Sequence, residues 1–324
     1  MSLTAIVPVW NGRDYLAHLL ASLERQTEPA SELLVVDNGS TDGAPEVARE
    51  HGARVIAMGR NAGFAPAVNR GIRESGTEWV AVLNSDVELA ADYFATLRQA
   101  GAPFATGKIL SAKSPDRIDA TFDAVARSGC AARLGHGLLD GPLFSKRRAI
   151  WSAPWTAVVF RAEIFQRLGF LNEAFESYLE DVEFGIRCAR AGVAGLYVPE
   201  AVAWHHGSAA LGRWHPETVR RIARNQCYIA ALHYPLRYAW AILVGQTLWG
   251  LVAARHGAAG AWLRGKLEGL RNSPRFRKER EFRNTRTLDQ WLRENEQLIR
   301  DTERATDAHR YWSMYFLLTR GATK

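Results

Sequence analysis

Carboxylate and histidine side chains at a few points of the chain are of the types that bind a divalent metal ion. Asp86 follows a short apolar run in the stretch VLNSDVEL, where it could serve as a hard-oxygen ligand for Mg²⁺ or Mn²⁺. Such an ion would hold a diphosphate. Either His205 or His206, which follow another strand-like run, could complete the site with Asp86. The NSD triplet alone is also typical of an ordinary turn, and lone histidines are more often packed or exposed than bound to metal.

The pair Glu180-Asp181 supplies a candidate general base. The stretch SYLEDVEFGIRCARAG (177–192) predicts a helix that begins near these two acids and closes at Gly192. Adjacent helical residues point about 100° apart, so one of the two can reach a substrate, and we assign that role to Asp181. The alternative is a charged first turn that stabilises the helix dipole and does no chemistry.

Other polar residues have types suited to binding a nucleotide. Asp37 could accept a hydrogen bond from the N3–H of uracil or thymine, or form an Asx turn before a helix that Asp42 caps. Asn61, Gly63 and Asn69 surround a helix start, where N–H groups can meet phosphate or sugar hydroxyls. Neither GxGxxG nor GxxxxGK[ST] occurs in the chain, which argues against dinucleotide-binding and P-loop proteins.

These candidate residues depend on a predicted α/β framework for their position. Short apolar runs alternate with helical patterns along the first part of the chain, which predicts a parallel sheet with helices on its faces. Ligands bind such sheets beyond the carboxyl ends of the strands. We therefore expect Asn11, Asp37 and Asp86 at one edge, although each taken singly could be an ordinary loop residue. The predicted strands are 3–9, 33–36, 54–57 and 79–83.

The overall composition is that of a globular protein. Of 324 residues, 47% are hydrophobic and 23% charged, which excludes a disordered or fibrous chain and fits one large α/β domain or two smaller ones. Cys130, Cys188 and Cys227 show no CxxC spacing, so we expect no disulfide framework, no zinc cluster and a reducing, cytosolic compartment. The first residues lack the pattern of a signal peptide, and secretion is not expected.

The charge is divided unevenly along the chain. Residues 213–324 hold 21 Lys and Arg against 10 Asp and Glu, and also six of the eleven Trp. Residues 1–212 hold 20 basic and 24 acidic residues, which makes them net negative. We therefore predict two domains, 1–212 and 213–324, the second helical and basic, with different partners.

The second predicted domain contains a candidate membrane-binding segment. Residues 238–254 carry no charge and are flanked by Arg237 and Arg255, but they are short for a bilayer span. An interfacial or re-entrant helix and a buried core helix both fit this pattern; the surrounding Arg and Trp favour the inner membrane surface. A nucleic-acid patch would have the same charge, but no binding motif accompanies it, so we expect no nucleic acid. The charged segment 281–305 could form a homo-oligomer or lie solvated.

Taken together and in order, six segments resemble the family-two inverting glycosyltransferases of the GT-A fold, in particular the rhamnosyltransferase-like branch that builds bacterial polysaccharides. In that branch a similar segment, here Ala223-Arg224-Asn225, opens a helical, membrane-associated tail. The resemblance covers about residues 1–210. The matching segments are IVPVWNG (6–12), VVDNGSTDG (35–43), RNAGFAPAVNRG (60–71), VLNSDVEL (82–89), FLNEAFESYLEDVEFGIRCARAG (170–192) and AWHHGSA (203–209).

The resemblance implies a role for each matching position. It places Asp37 on the base, Asp181 as the catalytic base of an ED motif, and Asp86 as the last residue of a DxD-type metal-binding motif. His205 matches a histidine that joins the metal site in related enzymes, although the choice between His205 and His206 stays open. The resemblance also implies that Pro8, Trp10 and Asn11 line the nucleotide pocket, and that Asn61 and Gly63 lie near the ribose and phosphates. It implies that Ser85 belongs to the metal-binding motif, in which Asn84 replaces the first Asp.

The resemblance implies an enzyme that transfers a hexosyl group from dTDP-rhamnose or a UDP-sugar to a glycan or lipid-linked acceptor. Such an enzyme uses Mn²⁺ or Mg²⁺, inverts the anomeric configuration and works in cell-envelope biosynthesis, as a cytoplasmic protein peripheral to the membrane. Two features depart from the family pattern: Trp155-Thr156 replace small residues, and no QxxRW motif is present, which argues against a processive polymerase. A nucleotidyltransferase of related architecture and a non-catalytic membrane-binding scaffold are the alternatives.

Overall fold

The computed structural model of the protein describes residues 2–207, 212, 214–279, 285–306 and 310–319. Parts of three predicted features, namely Ser208 and Ala209 of AWHHGSA, residues 281–284 and the boundary residue Arg213, lie outside the described residues. The contacts divide the chain into two units. The first consists of Met1–Phe122, Gly135–Cys188 and Gly192–Ala210, and the second of Asp123–Leu134, Ala189–Ala191 and Leu211–Lys324.

The first unit alternates strands and helices in the order expected of an α/β protein. It begins with β1 (Leu3–Val9), α1 (Arg13–Glu24), β2 (Glu32–Asp37), α2 (Ala44–Glu50), β3 (Arg54–Ala57), α3 (Phe64–Glu74) and β4 (Trp79–Leu83). It continues with β5 (Val87–Leu89), α4 (Tyr93–Gln99), β6 (Phe104–Ser111), β7 (Ser114–Ala120), β10 (Arg148–Ile150), β11 (Ala157–Arg161), α5 (Glu163–Leu168), α6 (Glu180–Ala191) and β12 (Gly195–His205).

One mostly parallel sheet organises this unit, in the strand order β10-β12-β6-β11-β4-β1-β2-β3. Strands β1 to β4 run parallel, with Val9 in register with Asp37 and Asp37 in register with Ala57. The carboxyl ends of β1, β2 and β4 therefore lie side by side, as predicted. Farther along, β5 adds to the edge of β12 and brings Val87 opposite His205.

Helices cover both faces of the sheet, because its central strands are apolar on both sides. Leu16, Leu19 and Leu20 of α1 pack in one buried cluster with alternate residues of β1. On the opposite face, α3 approaches so closely that a methyl group on Gly71 would lie 2.4 Å from the Ile6 side chain. The predicted mixed α/β fold with a mostly parallel sheet is confirmed.

The predicted helix with Glu180 and Asp181 in its first turn is present as α6. It begins at Glu180, because Tyr178 and Leu179 have left-handed backbone angles of φ 72° and 67° that a helix cannot accept. The sequence predicted separate runs at 195–199 and 201–208, whereas the structure has one strand, β12, which ends at His205 and in which a bulge between Val198 and Val202 shifts the register. Strands β6 and β7 were not predicted from the sequence.

The second unit consists of a hairpin of β8 (Asp123–Val125) and β9 (Ala131–Arg133) and five helices, as far as the structure describes it. The helices are α7 (Pro216–His233), α8 (Ala239–Arg255), α9 (Ala259–Lys278), α10 (Thr285–Thr306) and α11 (Arg310–Thr319). The hairpin comes from the middle of the chain, which the predicted division at 212/213 did not include. Within the described residues, no helix is both long and apolar enough to cross a bilayer.

A buried ion pair joins the hairpin turn to α10 in this second unit. The side chains of Arg127 and Glu296 are each 5% exposed. Arg127 donates to both carboxylate oxygens of Glu296, at 2.7 to 3.0 Å, and the hydroxyl of Tyr315 donates a further hydrogen bond at 2.8 Å. Each charge is thus neutralised and hydrogen-bonded, which is the condition under which a buried pair is tolerated.

We predict that Glu296→Gln lowers the free energy of unfolding of the second unit by about 3–5 kcal/mol, because it leaves the Arg127 charge buried without a counter-charge. Urea unfolding followed by tryptophan fluorescence measures the change. The double variant Arg127→Met/Glu296→Leu should recover most of the stability. Glu294→Gln, exposed on the same helix, is the control; equal stabilities of Glu296→Gln and Glu294→Gln would refute the prediction.

Candidate active site

The loops that follow β1 and β2 are joined to each other by side-chain hydrogen bonds. Asn11 has a left-handed backbone with φ 49°, and its side-chain oxygen accepts a hydrogen bond from the Thr41 amide at 2.8 Å. The Asn11 amide in turn donates to the Ser40 hydroxyl at 3.0 Å. Asp42 accepts from the amides of Arg13 and Ala44, the first residues of α1 and α2, and so caps both helices.

Asp37 and Asn38 end β2 at the centre of this edge. The Asp37 carboxylate, in a residue only 7% exposed, accepts a hydrogen bond from the amide of Ser40, three residues on, at 2.9 Å, and so stabilises the turn after β2. Asn38 reaches across to the loop before α3, where it donates to the Gly63 carbonyl and accepts from the Ala62 amide. Asn38 therefore fixes the distance between these two loops.

The start of α3 is bound by protein groups. Asn61 accepts a hydrogen bond from the Gly63 amide. The next two amides, of Phe64 and Ala65, donate to the Ser177 hydroxyl and the Glu176 carbonyl at 3.0 and 2.8 Å. The expectation that N–H groups at this helix start are free to meet a phosphate is wrong for these amides, because the segment before α6 already occupies them.

Asn69 has a structural position in α3. It is fully buried, and its side chain bonds to the amide and carbonyl of Leu171 and to Glu173. Because these partners use its amide group, Asn69 holds the loop before α6 against α3, and we leave it out of the donor site. Pro8 is buried within β1, and Trp10 is half-buried directly after it.

The turn after β4 lies against the loop after β1. A methyl group on Gly12 would lie 3.4 Å from the Ser85 hydroxyl. The Asn84 amide donates to the Thr156 carbonyl at 2.8 Å, which ties this turn to the residue before β11. Asp86 follows at 7% exposure, and its carbonyl accepts a hydrogen bond from the His206 amide at 2.9 Å. The turn after β4 therefore connects the loop after β1 to the end of β12.

His205 lies between two carboxylates. Its Nε2 is 3.1 Å from Asp86 Oδ1, and its Nδ1 is 2.9 Å from Asp119 Oδ2 on β7. Burial lowers the pKa of His205, but hydrogen bonds with Asp119 and Asp86 outweigh that effect and raise the pKa to about 9. Without a bound metal the ring is therefore protonated at neutral pH and donates to both acids.

His206 points away from this cluster, because successive strand residues alternate between faces. Its Nε2 is 2.8 Å from Glu88 Oε1, and its ring lies 5.1 Å from that of Tyr15. Of the two histidines that the sequence left open, His205 is the one whose ring contacts the Asp86 carboxylate.

The Asp86 and His205 donor atoms fit a divalent cation. Two ligands on adjacent corners of an octahedron around Mg²⁺ or Mn²⁺ lie about 3 Å apart, from metal–ligand distances of about 2.1 Å; the separation here is 3.1 Å. No group of three His, Cys, Asp or Glu side chains within the described ranges is arranged to hold a metal. A cation held by these two side chains would have further coordination positions for oxygens of a diphosphate and of water, the usual partners of a hydrated cation.

Asp181 lies in the first turn of a firmly held helix. Arg187 of α6 pairs with Glu183 at 2.9 Å and donates to the carbonyls of Leu168 and Phe170. Phe184, from the same helix, meets Trp155 edge-on with ring centroids 5.3 Å apart. Trp155, which replaces a small residue of the family pattern, thus packs beneath the helix that carries Asp181.

Comparison with known proteins agrees with this arrangement. The family model described as Glycosyl transferase family 2 matches residues 4–102. This match and the relative described next support a nucleotide-sugar glycosyltransferase of this family, as the ordered motifs predicted. An N-acetylglucosaminyl-diphospho-decaprenol L-rhamnosyltransferase of Mycobacterium tuberculosis is 27% identical over 249 residues, 65% of this chain and 79% of that relative.

Two solved structures of glycosyltransferases share the GT-A fold. GalNAc-T7 with UDP, GalNAc and Mn²⁺ has a TM-score of 0.62 at 14% identity, over 76% of this chain and about half, 51%, of that one. The mannosyltransferase PcManGT of Pyrobaculum calidifontis, in complex with GDP-Man and Mn²⁺, has a TM-score of 0.52 at 16% identity, over 99% of this chain and 88% of that one.

Sequence reasoning missed Asn38 and Asp119, two residues that organise the site. Asn38 lies in a run of turn-forming residues, and no feature of the sequence distinguishes it from its neighbours. Asp119 lies in β7, 86 residues before His205, and its contact depends on two strand pairings that no local pattern indicates. The alternation of polar and apolar residues in DRIDA (116–120) was the available signal.

We predict that Gly63→Ala lowers kcat about 10- to 100-fold, since small displacements of a catalytic group have costs of that order. Gly63 has φ 98° and ψ 173°, and a methyl group there would lie 2.7 Å from the Glu176 carbonyl oxygen. The clash would displace the segment that leads to Asp181. Steady-state transfer kinetics measure the effect.

Gly59→Ala is the control for a positive φ. Its φ of 73° also disfavours alanine, although the φ of 98° and ψ of 173° of Gly63 disfavour it more, and nothing lies within 4 Å of the added methyl group. We expect Gly59→Ala to lose some stability and keep its kcat. Equal losses of kcat in the two variants would show that backbone strain, and not the contact with Glu176, is responsible.

Proposed function

We propose that the protein is an inverting, metal-dependent hexosyltransferase that moves a sugar from a nucleotide diphosphate to an acceptor hydroxyl. The observation that carries the proposal is the 3.1 Å contact between Asp86 and His205, which lie 119 residues apart in the chain. The loops after β1 and β2, joined through Asn11 and Asn38, lie at the same edge of the sheet. This combination supports a site for a nucleotide, a diphosphate and a cation.

In the proposed reaction, Asp37 contacts the base, while the loops carrying Asn11, Asn61 and Gly63 border the ribose and phosphates. Asp181 accepts the proton of the acceptor hydroxyl, whose oxygen attacks the anomeric carbon from the face opposite the diphosphate, so the configuration inverts. Mn²⁺ or Mg²⁺, when bound by Asp86 and His205, would stabilise the charge that develops on the departing diphosphate.

The similarity to the mycobacterial rhamnosyltransferase supports dTDP-rhamnose as the first donor to test, with UDP-sugars as the alternative. That relative's name describes a polyprenol-linked acceptor, which supports a glycan or lipid-linked acceptor for this chain, in cell-envelope biosynthesis. An acceptor of that kind lies at the inner membrane surface, so the enzyme would work as a cytoplasmic protein peripheral to the membrane.

We predict that Asp181→Asn lowers transfer by at least about 100-fold, the lower range for loss of a general base, and leaves nucleotide binding intact. Transfer is followed with dTDP-rhamnose and UDP-sugars. Binding is followed by the thermal shift that millimolar dTDP or UDP causes with Mn²⁺ present, since a ligand of the folded protein stabilises it increasingly as its concentration exceeds its dissociation constant.

Glu163→Gln, which removes an exposed carboxylate from the first turn of α5, controls for the loss of helix-dipole stabilisation. Near-normal turnover by Asp181→Asn would remove Asp181 from the role of base. Release of free pyrophosphate would point to a nucleotidyltransferase, and absence of any nucleotide-induced shift would leave a non-catalytic scaffold.

An exposed apolar face on α9 supports binding to a membrane. Leu263, Leu267 and Leu270 are 52%, 59% and 61% exposed and recur at helical spacing. The stripe continues to Arg277 and Lys278, both exposed at the end of the helix. Leucines on one side of a helix with basic residues beside them are typical of a helix that lies in the lipid headgroup region.

Neighbouring helices in the same unit extend this apolar surface. Trp240, Leu243 and Leu251 of α8 are 53% to 62% exposed, and the Trp240 indole donates to the Leu318 carbonyl of α11. The other side of α8, including Val244 and Gln246, is buried. Helix α8 therefore has one side buried in the core and one side that is apolar and exposed. The buried core helix and the interfacial helix, the two alternatives for residues 238–254, each describe one side of it.

The occupant that we propose for this surface is an anionic lipid bilayer. Basic side chains at the end of the leucine stripe complement lipid phosphates, each contributing about 1 kcal/mol near an anionic surface. Exposed apolar patches of this kind mark interaction sites. A second copy of the chain, the homo-oligomer left open by the sequence, would bury the leucines without requiring the adjacent positive charge.

We predict that Arg277→Gln/Lys278→Gln weakens binding to phosphatidylglycerol vesicles roughly 30-fold, from the loss of about 2 kcal/mol. Leu263→Ser/Leu267→Ser/Leu270→Ser should weaken it further, because the apolar contact is lost. Vesicle sedimentation measures both. Neutral phosphatidylcholine vesicles should bind the unsubstituted protein more weakly than anionic ones.

Two matched controls carry a similar number of substitutions at positions outside the proposed membrane-binding surface. Arg293→Gln/Arg304→Gln removes two exposed charges from α10, and Leu139→Ser/Leu143→Ser removes two exposed leucines from the first unit. Both should bind vesicles normally. A dimer in light scattering that the α9 leucine variant converts to monomer, with no vesicle binding by the unsubstituted protein, would assign the surface to a second copy.

A further inference from the structure

The two ring nitrogens of His205 face different carboxylates, and only one of these carboxylates belongs to the proposed metal site. Nε2 faces Asp86, whereas Nδ1 is 2.9 Å from Asp119 Oδ2. Both side chains around Nδ1 are shielded, with His205 9% and Asp119 14% exposed. Both ring nitrogens contact protein carboxylates, but a cation bound between Nε2 and Asp86 would leave the contact of Nδ1 with Asp119 in place.

We propose that Asp119 is the positioning residue of this site: it retains the proton on His205 Nδ1 and so presents the Nε2 lone pair to a divalent cation beside Asp86. A carboxylate behind a metal-binding histidine fixes the tautomer and ring orientation and increases the electron density on the ligating nitrogen. The inference rests on the proposed metal site and adds to it the residue that makes His205 a ligand.

The position of Asp119 agrees with this role and not with that of a direct ligand. It lies on the side of the imidazole opposite Asp86, so the ring separates its carboxylate from the proposed cation. The carbonyl oxygen of Asp119 is 2.8 Å from His136 Nδ1, and its neighbours Ile118 and Ala120 pair with β6. Substitution of the side chain leaves these backbone contacts in place, but it removes the 3.8 Å contact of Asp119 Oδ1 with His136 Nδ1 together with the contact to His205.

Asp119→Asn tests the tautomer directly. The asparagine NH₂ group can donate to Nδ1 and stabilise the ring with its proton on Nε2, where it blocks the metal. We expect Asp119→Asn and Asp119→Ala to bind Mn²⁺ about 10- to 100-fold more weakly in the presence of dTDP or UDP. Electron paramagnetic resonance of free Mn²⁺ measures the affinity, and Asp119→Glu should recover part of it.

A second measurement does not depend on metal or activity. The ¹⁵N chemical shifts of His205, observed in metal-free protein at a pH where the ring is neutral, report which nitrogen carries the proton. The proposal requires Nδ1–H in the unsubstituted protein and a shift toward Nε2–H in Asp119→Asn. Nε2–H in the unsubstituted protein would overturn it.

Two further variants separate the possible outcomes. Asp116→Asn, exposed on the same strand, should keep full Mn²⁺ affinity. Asp86→Ala should weaken Mn²⁺ binding strongly. If Asp86→Ala weakens binding and the Asp119 variants do not, the role of Asp119 is overturned while the metal site stands. If neither residue matters, both the metal site and this inference are overturned. A lower melting temperature of the Asp119 variants with unchanged Mn²⁺ affinity would indicate a structural role and would also overturn it.

Discussion

The register of β1 between β2 and β4 is the constraint on which the site depends. These parallel strands end together, so three loops far apart in the chain emerge at one edge of the sheet. Hydrogen bonds then hold these loops together. Asn11 bonds to Thr41, and Asn38 bonds to Gly63. The start of α3 in turn bonds to Glu176 and Ser177. Through these hydrogen bonds, the loops after β1 and β2 are connected to the segment that leads to Asp181.

A second strand pairing brings the proposed metal ligands together. When β5 pairs with β12, Val87 lies opposite His205, and Asp86 comes within hydrogen-bond distance of the imidazole. The left-handed residues Glu176, Tyr178 and Leu179 delay the start of α6 and place Asp181 in its first turn. Strained backbone is commonly found where a functional group must be held in one place, and here the contacts to α3 maintain it.

The sequence predicted the framework well and the contacts poorly, for a physical reason. Strands β1 to β4 and the helices between them follow from local periodicity, because each buries apolar residues on a regular face. Asp86, Asp181 and His205 were predicted as site residues from the ordered motifs. Asn38 and Asp119 were missed because their roles depend on distant partners, and Asn69 was misassigned because its burial against Leu171 leaves no local pattern. The hairpin Asp123–Leu134 was missed for the same reason: its partners in the second unit lie far along the chain.

In the proposed function, electrostatics account for a cation at this site. Asp86 and Asp119 are both shielded from water and lie on either side of the His205 ring. Two unit charges of like sign 4 Å apart repel by about 1 kcal/mol in water and about 4 kcal/mol near a protein surface, so a multiply charged diphosphate would be driven off by the carboxylates. In the metal-free protein the imidazolium of His205 neutralises part of this charge. A divalent cation held by Asp86 and the neutral ring would change the net charge of Asp86, Asp119 and His205 from −1 to 0 and would present a positive ion to the diphosphate. Acids that repel a free diphosphate would thus favour a metal-bound one, and in the proposed reaction donor binding and cation binding would be interdependent.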